Sequence, residues 1–295
     1  MAWNSIAALL DAALEEEESI GETALAAEAK ETEKSADELI ARMDAQLTVM
    51  QQAIERGLHE AVTSRSGLVG GQARQMLRHA EAGHETLSGN TAFLAAMYAT
   101  ATREVNASMG RIVATPTGGS SGILPGVLLA VAEERQTPRH DVIMALFCAG
   151  ALGLVIANSA GISGAEGGCQ FEVGTATAMA AAAVTQMVGG SPEQVCQAAG
   201  LVLKNVLGLV CDPVAGLVEI PCVKRNGLYA SLALMASDMA LAGIRSVIPA
   251  DEIIKAMADI GRSMPAALRE TAQGGLAVTP TGKMLMQRLS GSFGR

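Results

Sequence analysis

The sequence predicts a mainly α-helical protein: a compact helical domain with glycine-rich loops and an N-terminal helical arm. Three observations lead there. Apolar residues recur at spacings of three and four over long stretches, as one buried face of a helix requires. β-Branched and aromatic residues rarely alternate with polar ones over the four to eight positions a strand needs, and aromatics make up only 2% of the 295 residues. Abundant alanine, 32 glycines and 15 methionines suit helices packed at close range around a core of small and adaptable side chains. A hydrophobic content of 49% suffices to bury such a core without disulfide staples.

The arm comes first, over residues 1–62. SIAALLDAALEEEESI reads as a short helix stopped near Gly21. In the longer helix that follows, Ile40, Met43, Leu47, Met50 and Ile54 form a one-sided stripe, with its end expected at Gly57. That stripe has to pack on the main domain or on a neighbouring subunit, because helical stability comes mostly from packing an apolar face. The arm also carries the charge. Residues 1–60 hold 14 acidic against 4 basic side chains and the remainder 16 against 17, so the formal net charge of −9 lives in the first fifth of the chain. An acidic face of this kind is solvated, and no basic stripe or aromatic platform is available, which argues against a nucleic-acid partner.

From TSRSGLVGGQ, residues 63–72, the composition shifts to glycine, alanine and small polar residues, opening an all-α domain over 63–295. The SRSGLVGG segment, Ser64 to Gly71, either lines a pocket or acts as a hinge. Helices are expected at about 73–82, 90–109, 121–135, 139–157, 173–188, 192–207, 226–244, 250–261 and 265–272, with glycine-rich turns between them. The longest apolar run, VIMALFCAGALGLVIA (142–157), is bounded by Asp141 and Asn158 and is too short to span a bilayer, so it reads as a helix buried on all sides and not as a membrane segment. Five scattered cysteines and the lack of a signal-peptide pattern suggest a reducing cytoplasm.

Three loops look chemical. In ATPTGGSSGILPG (114–126), two glycines and two serines precede an apolar helix, which suits an anion at a helix N-terminus; it is not a Walker A loop, and a simple serine-capped turn is an equal alternative. In ANSAGISGAEGGCQFEVG (157–174), Asn158, Ser163 and Glu166 lie close in sequence to Cys169 on a glycine-rich turn. The third is CDPVAGLVEIPC, from Cys211 to Cys222, shaped by Pro213, Gly216 and Pro221. Cys148 reads as an inert residue of the apolar run and Cys196 as helix packing. The separations of 42 and 11 residues between Cys169, Cys211 and Cys222 do not fit a zinc knuckle. They leave two readings open: dispersed structural cysteines, or three thiols that converge on an iron–sulfur cluster with one iron lacking a protein ligand.

The segments EVNASMGRIVATPTGGSSGILPG, NSAGISGAEGGCQFEVG, GSPEQVCQAAG, GLVCDPVAGLVEIPCVKRNG and RETAQGGLAV, with LTVMQQAIERGL and SGLVGG in the arm, closely resemble the α chain of the bacterial iron–sulfur L-serine dehydratases over nearly the whole length. The resemblance implies that Cys169, Cys211 and Cys222 ligate a 4Fe-4S cluster and that no pyridoxal phosphate takes part. It also implies conversion of L-serine to pyruvate and ammonia, with the cluster as Lewis acid. The SSSHTVGPM-like segment of single-chain relatives has no counterpart here, which implies a separate β subunit and a hetero-oligomer. On this reading Thr115, Thr117, Gly118, Gly119, Ser120 and Ser121 hold the substrate carboxylate, and Asn158 and Ser163 orient its amino or hydroxyl group. The base is Lys224 or a group of the β subunit, since none of His59, His79, His84 and His140 lies in a chemical loop. Competing expectations are a cluster-dependent lyase for L-cysteine or L-threonine and a non-catalytic iron–sulfur sensor.

Overall fold

The computed structural model describes residues 3–293. It contains α1 (Ile6–Glu15), α2 (Ile20–Thr32), α3 (Ala36–His59), α4 (Gln72–Glu81), α5 (Asn90–Ala107), α6 (Ile123–Arg135), α7 (Arg139–Ser159), α8 (Gly164–Gly167), α9 (Thr175–Met187), α10 (Pro192–Asn205), α11 (Cys222–Leu241), α12 (Ala250–Ser263) and α13 (Pro280–Phe293). Among the described residues there is no strand, only an isolated parallel bridge between Cys211 and Arg269. The mainly α expectation holds.

The described residues of the 1–62 stretch form three helices, not two. Ser19 accepts from the Glu22 N–H at 3.2 Å while Glu22 Oε2 accepts from the Ser19 N–H at 2.9 Å, and this reciprocal cap starts α2 just ahead of Gly21. Gly21 therefore stops nothing. A Cβ there would stand 2.2 Å from the Met144 carbonyl oxygen, so the glycine lets α2 lie directly on α7. Gly57 is likewise internal to α3, where a Cβ would come within 2.5 Å of the Ala101 carbonyl on α5. Both glycines serve close helix approach, a use that one-dimensional pattern does not distinguish from termination.

At the centre lies α9, whose residues Thr175 to Thr185 are all buried. Its alanines let α7, α10, α11 and α6 close around it. α7 is long and apolar enough to cross a membrane by length and composition, yet most of it is buried within the protein. Ile6, Leu9, Ile20 and Leu47 of the arm belong to the same buried cluster as Leu152 and Ala180. Arg139 at the start of α7 adds polar ties to the arm, donating to Gln51 Oε1 and Thr48 Oγ1 at 2.8 Å and pairing with Asp44.

Two expectations near the C-terminus change. The helix expected at 265–272 is a single 3-10 turn, Ala266–Leu268. Glu270 and Ala272 take left-handed φ values of 60° and 56°, and the local backbone bonds run outward instead: Cys211 N–H to Leu268 carbonyl at 2.9 Å and Glu270 N–H to Cys211 carbonyl at 2.8 Å. α11 begins at Cys222 itself, earlier than expected, and α13 was not anticipated.

Candidate functional site

Three connections meet at the start of α9: the loop before α6, the turn from α7 through α8, and the segment between α10 and α11. Cys169 immediately precedes a π-helical turn, Gln170–Gly174, that runs into α9; Cys211 is pinned by its bridge to the 268–270 segment; Cys222 opens α11. All three thiols are buried and free of disulfides. The sulfurs of Cys169 and Cys211 and a carboxylate oxygen of Glu172 lie within 4.8 Å of one another. Glycine at 164 is what leaves room, since a Cβ there would stand 2.6 Å from Glu172 Oε2 and 3.3 Å from the Cys211 sulfur. The Cys222 sulfur lies outside that trio, but its charge interacts with those of Cys169 and Glu172.

The electrostatics favour one thiolate in the pair. Cys169 is held below the ordinary thiol range, first by the hydrogen bond from Cys211 and then by the Arg225 charge, and Cys211 is pushed up by that same bond and by burial. Burial pushes Cys222 up to about 12. Arg225 Nη1 donates to the Cys169 sulfur at 3.3 Å and to the Val210 carbonyl at 3.0 Å. Its Nη2 pairs with Asp212 at 2.9 Å, and the other Asp212 oxygen accepts from the Leu276 N–H at 2.8 Å. One guanidinium thus braces both flanks of Cys211 against Cys169.

The loop before α6 faces Glu172. Thr117 Oγ1 donates to Glu172 Oε1 at 2.6 Å, and a Cβ at Gly119 would stand 3.0 Å from that oxygen. Ser120 and Ser121 are fully buried and partnered inside the loop: Ser121 donates to the Gly118 carbonyl at 2.9 Å, and Ser120 lies 3.1 Å from the Thr117 hydroxyl. Thr115 Oγ1 donates to the Ser121 carbonyl at 3.4 Å. Asn226 on α11 locks the loop, accepting from the Gly122 N–H at 3.0 Å and donating to the Gly119 and Cys222 carbonyls at 2.9 Å each. From α5, Arg103 Nη1 reaches the Gly118 carbonyl and Nη2 the Val218 carbonyl at 2.6 Å, joining the first loop to the third.

The remaining sequence candidates are less concentrated. Ser163 precedes Gly164 and starts α8, so it borders the trio. Asn158 is exposed on the last turn of α7, with no hydrogen bond to the trio. Lys224 is exposed and donates to Gln72 Oε1 at 3.2 Å, in a separate groove of about 620 Å³ with His79, Phe93 and Leu228. In SRSGLVGG, Ser66 donates to Glu219 of the third loop, which attaches that segment to the site. Cys148 and Cys196 are buried thiols pushed up by burial, Cys196 to about 12.

Sequence reasoning missed Glu172, Arg103 and Arg225. Glu172 had a signal, standing three residues after Cys169 on the same helical face in CQFEVG. The two arginines had none, because each sits inside a helical run.

Two soft thiols and a carboxylate within 4.8 Å, a third thiol nearby and a guanidinium on one sulfur form a donor set suited to an iron–sulfur cluster and not to a hard oxygen-loving cation.

Comparison with known proteins adds a second line. The serine dehydratase alpha chain family matches residues 15–277. The chain is 52% identical over 289 residues to a probable L-serine dehydratase alpha chain of Bacillus subtilis (strain 168), covering 98% of this chain and 96% of that one. It is 40% identical over 282 residues to the L-serine dehydratase alpha chain of Peptoniphilus asaccharolyticus, covering 96% of each. With the L-serine dehydratase of Streptomyces coelicolor (strain ATCC BAA-471 / A3(2) / M145) it shares 42% identity over 237 residues, which is 78% of this chain and 51% of that protein.

Proposed function

The chain belongs to the serine dehydratase alpha chain family, and on that premise we propose that it is the alpha subunit of a two-chain enzyme that converts L-serine to pyruvate and ammonia at a 4Fe-4S cluster held by Cys169, Cys211 and Cys222. The single observation that carries the site is the convergence of Cys169 and Cys211, 42 residues apart in sequence, on Glu172. Family membership supports the substrate, and the alpha-chain names of relatives matched end to end support a beta partner.

Loss of water from serine needs the α-proton removed and the hydroxide stabilised as it leaves. When bound, a cluster with one iron free of protein ligands supplies Lewis-acid stabilisation to the departing hydroxyl. This chain's residues do the rest of the positioning. Gly118 and Gly119 are anchored through their carbonyls, by Arg103, Ser121 and Asn226, and their N–H groups receive the substrate carboxylate with Thr115, Thr117, Ser120 and Ser121 shaping the turn. Ser163, beside the trio, orients the amino or hydroxyl group, a role that the exposed Asn158 is less well placed to share. Burial of Cys169, Cys211, Cys222, Ser120 and Ser121 limits water at the reacting centre. Lys224 faces the Gln72 groove, which favours a proton-abstracting base from the beta subunit. The aminoacrylate product tautomerises and hydrolyses to pyruvate and ammonia.

The test is anaerobic assembly with the beta chain, followed by pyruvate release from L-serine alongside iron and sulfide content. Cys169→Ala, Cys211→Ala and Cys222→Ala should each lose most of the iron and at least about 100-fold in turnover, since each removes a ligand whose partners cannot compensate. Full iron in all three variants would remove the ligand assignment. Turnover of L-cysteine or L-threonine above that of L-serine would move the substrate, a discrimination worth only about 1–3 kcal/mol in a small pocket.

A further inference from the structure

Arg103 is fully buried, at 0% exposure, on a helix where nothing in the sequence marks it as special. Its guanidinium hydrogen bonds all go to neutral oxygens: the Gly118 carbonyl at 2.5 Å, the Val218 carbonyl at 2.6 Å and the Asn106 side-chain oxygen. Its Nε has no partner at all. Among the described residues no carboxylate lies within ion-pair distance of it, whereas the neighbouring guanidinium, Arg225, is paired with Asp212 at 2.9 Å. A buried charge without a hydrogen-bonded counter-ion is strongly disfavoured, and an anion arriving beside it would relieve that cost. Cys222, Glu172 and Glu219, in that order, feel its charge at longer range, but none is hydrogen-bonded to it.

We propose that Arg103 is the anion-selecting positioning residue of the site: it holds the Gly118 carbonyl and supplies the unpaired buried positive charge that draws a substrate carboxylate to the Thr117–Gly119 turn. The identity of that substrate as L-serine, and the Gly118–Gly119 turn as its carboxylate site, rest on the function proposed above; the added demand for a negative charge rests on Arg103. An amino alcohol with the same hydroxyl and amino groups but no carboxylate is therefore excluded.

The anaerobically assembled two-chain enzyme tests this with Arg103→Gln, which removes the charge, and Arg103→Lys, which keeps it. For L-serine, the Gln variant should raise KM at least about tenfold, the usual weight of a hydrogen bond or contact to a charged group, with kcat within about threefold because the contact is made equally in ground and transition states. Arg103→Lys should recover most of the KM. Iron content should be the same in all three proteins. A Gln variant with KM within twofold of wild type, or a Lys variant as impaired as the Gln variant, overturns the proposal in favour of packing alone. Should the Gln variant not fold, wild-type melting decides: 3-hydroxypropionate, which has the carboxylate but no amino group, should raise Tm, and 2-amino-1,3-propanediol, which lacks the carboxylate, should not. Equal shifts from the two compounds overturn it. If the wild type makes no pyruvate yet shows that selective shift and Arg103→Gln loses it, the dehydratase reading fails and the assignment of Arg103 stands; pyruvate with no selectivity gives the reverse.

Discussion

Glu104, next to Arg103 on α5, points its chemistry the other way. It is buried and accepts from the Gln72 and Ala73 N–H groups at 2.7 and 3.3 Å, capping α4. Burial raises its carboxyl above the ordinary 4.5, so the folded chain holds this proton more tightly than the unfolded one. Its contribution to stability is therefore complete below pH 4.5 and is lost as pH rises through the raised value. The stability advantage of wild type over Glu104→Gln should be largest in acid and shrink toward neutrality; denaturant titrations at several pH values that show a constant difference would contradict this. Asn226 gives a pH-independent counterpart. Asn226→Ala strands the Gly122 N–H and the Gly119 carbonyl, and should cost about 1–3 kcal/mol with a matching loss of activity. At this scale the sequence exposed the cysteines, which are rare and stand at glycine- and proline-shaped bends. It hid Arg103 and the reach of Asn226, because a polar residue inside a helix looks the same in sequence whether it meets solvent or a loop folded over it.

Helix boundaries were legible where a cap was local and illegible where a contact was remote. The Ser19–Glu22 cap is written in adjacent residues, and Ser19→Ala should lower stability by about 1 kcal/mol in thermal melts. Gly57 and Gly150 make the sharper comparison. Gly57→Ala drives a Cβ into the Ala101 backbone and should destabilise by about 1–3 kcal/mol as α3 is pushed off α5. Gly150→Ala meets nothing within 4 Å on an exposed face of α7 and should stabilise by roughly 0.5–1 kcal/mol through helix propensity. Equal effects at the two sites would show that the close approach of α3 and α5 is not tight. The 265–272 segment failed as a helix for a related reason: its backbone groups find their partners on Cys211, over fifty residues away.

For the whole molecule, the buried cluster runs from the arm through α7 and α9, consists mostly of aliphatic and alanine side chains, and only at Cys169, Phe171, Val173 and Cys211 takes in the site. Helix formation therefore does not depend on the site. With the proposed cluster bound, removing its iron by chelation should leave far-UV circular dichroism within roughly a tenth of its starting value while lowering Tm, since only the binding contribution to stability is withdrawn. Collapse of the helical signal on chelation would mean that the cluster is a folding element instead. The acidic arm shares this apolar core and is held mainly by it, with the Arg139–Asp44 pair as a polar addition.

By itself the sequence determined the helical class, the buried run that became α7, and the three bends where thiols stand, because periodicity and the placement of glycine, proline and cysteine are local properties. Only the tertiary structure decided that Cys169 and Cys211 meet on Glu172, that Cys222 stands just apart, and that two arginines and an asparagine tie the loops together. Those outcomes depend on which helices pack side by side, and that is settled by contacts between residues tens of positions apart, with no trace in any short stretch of chain.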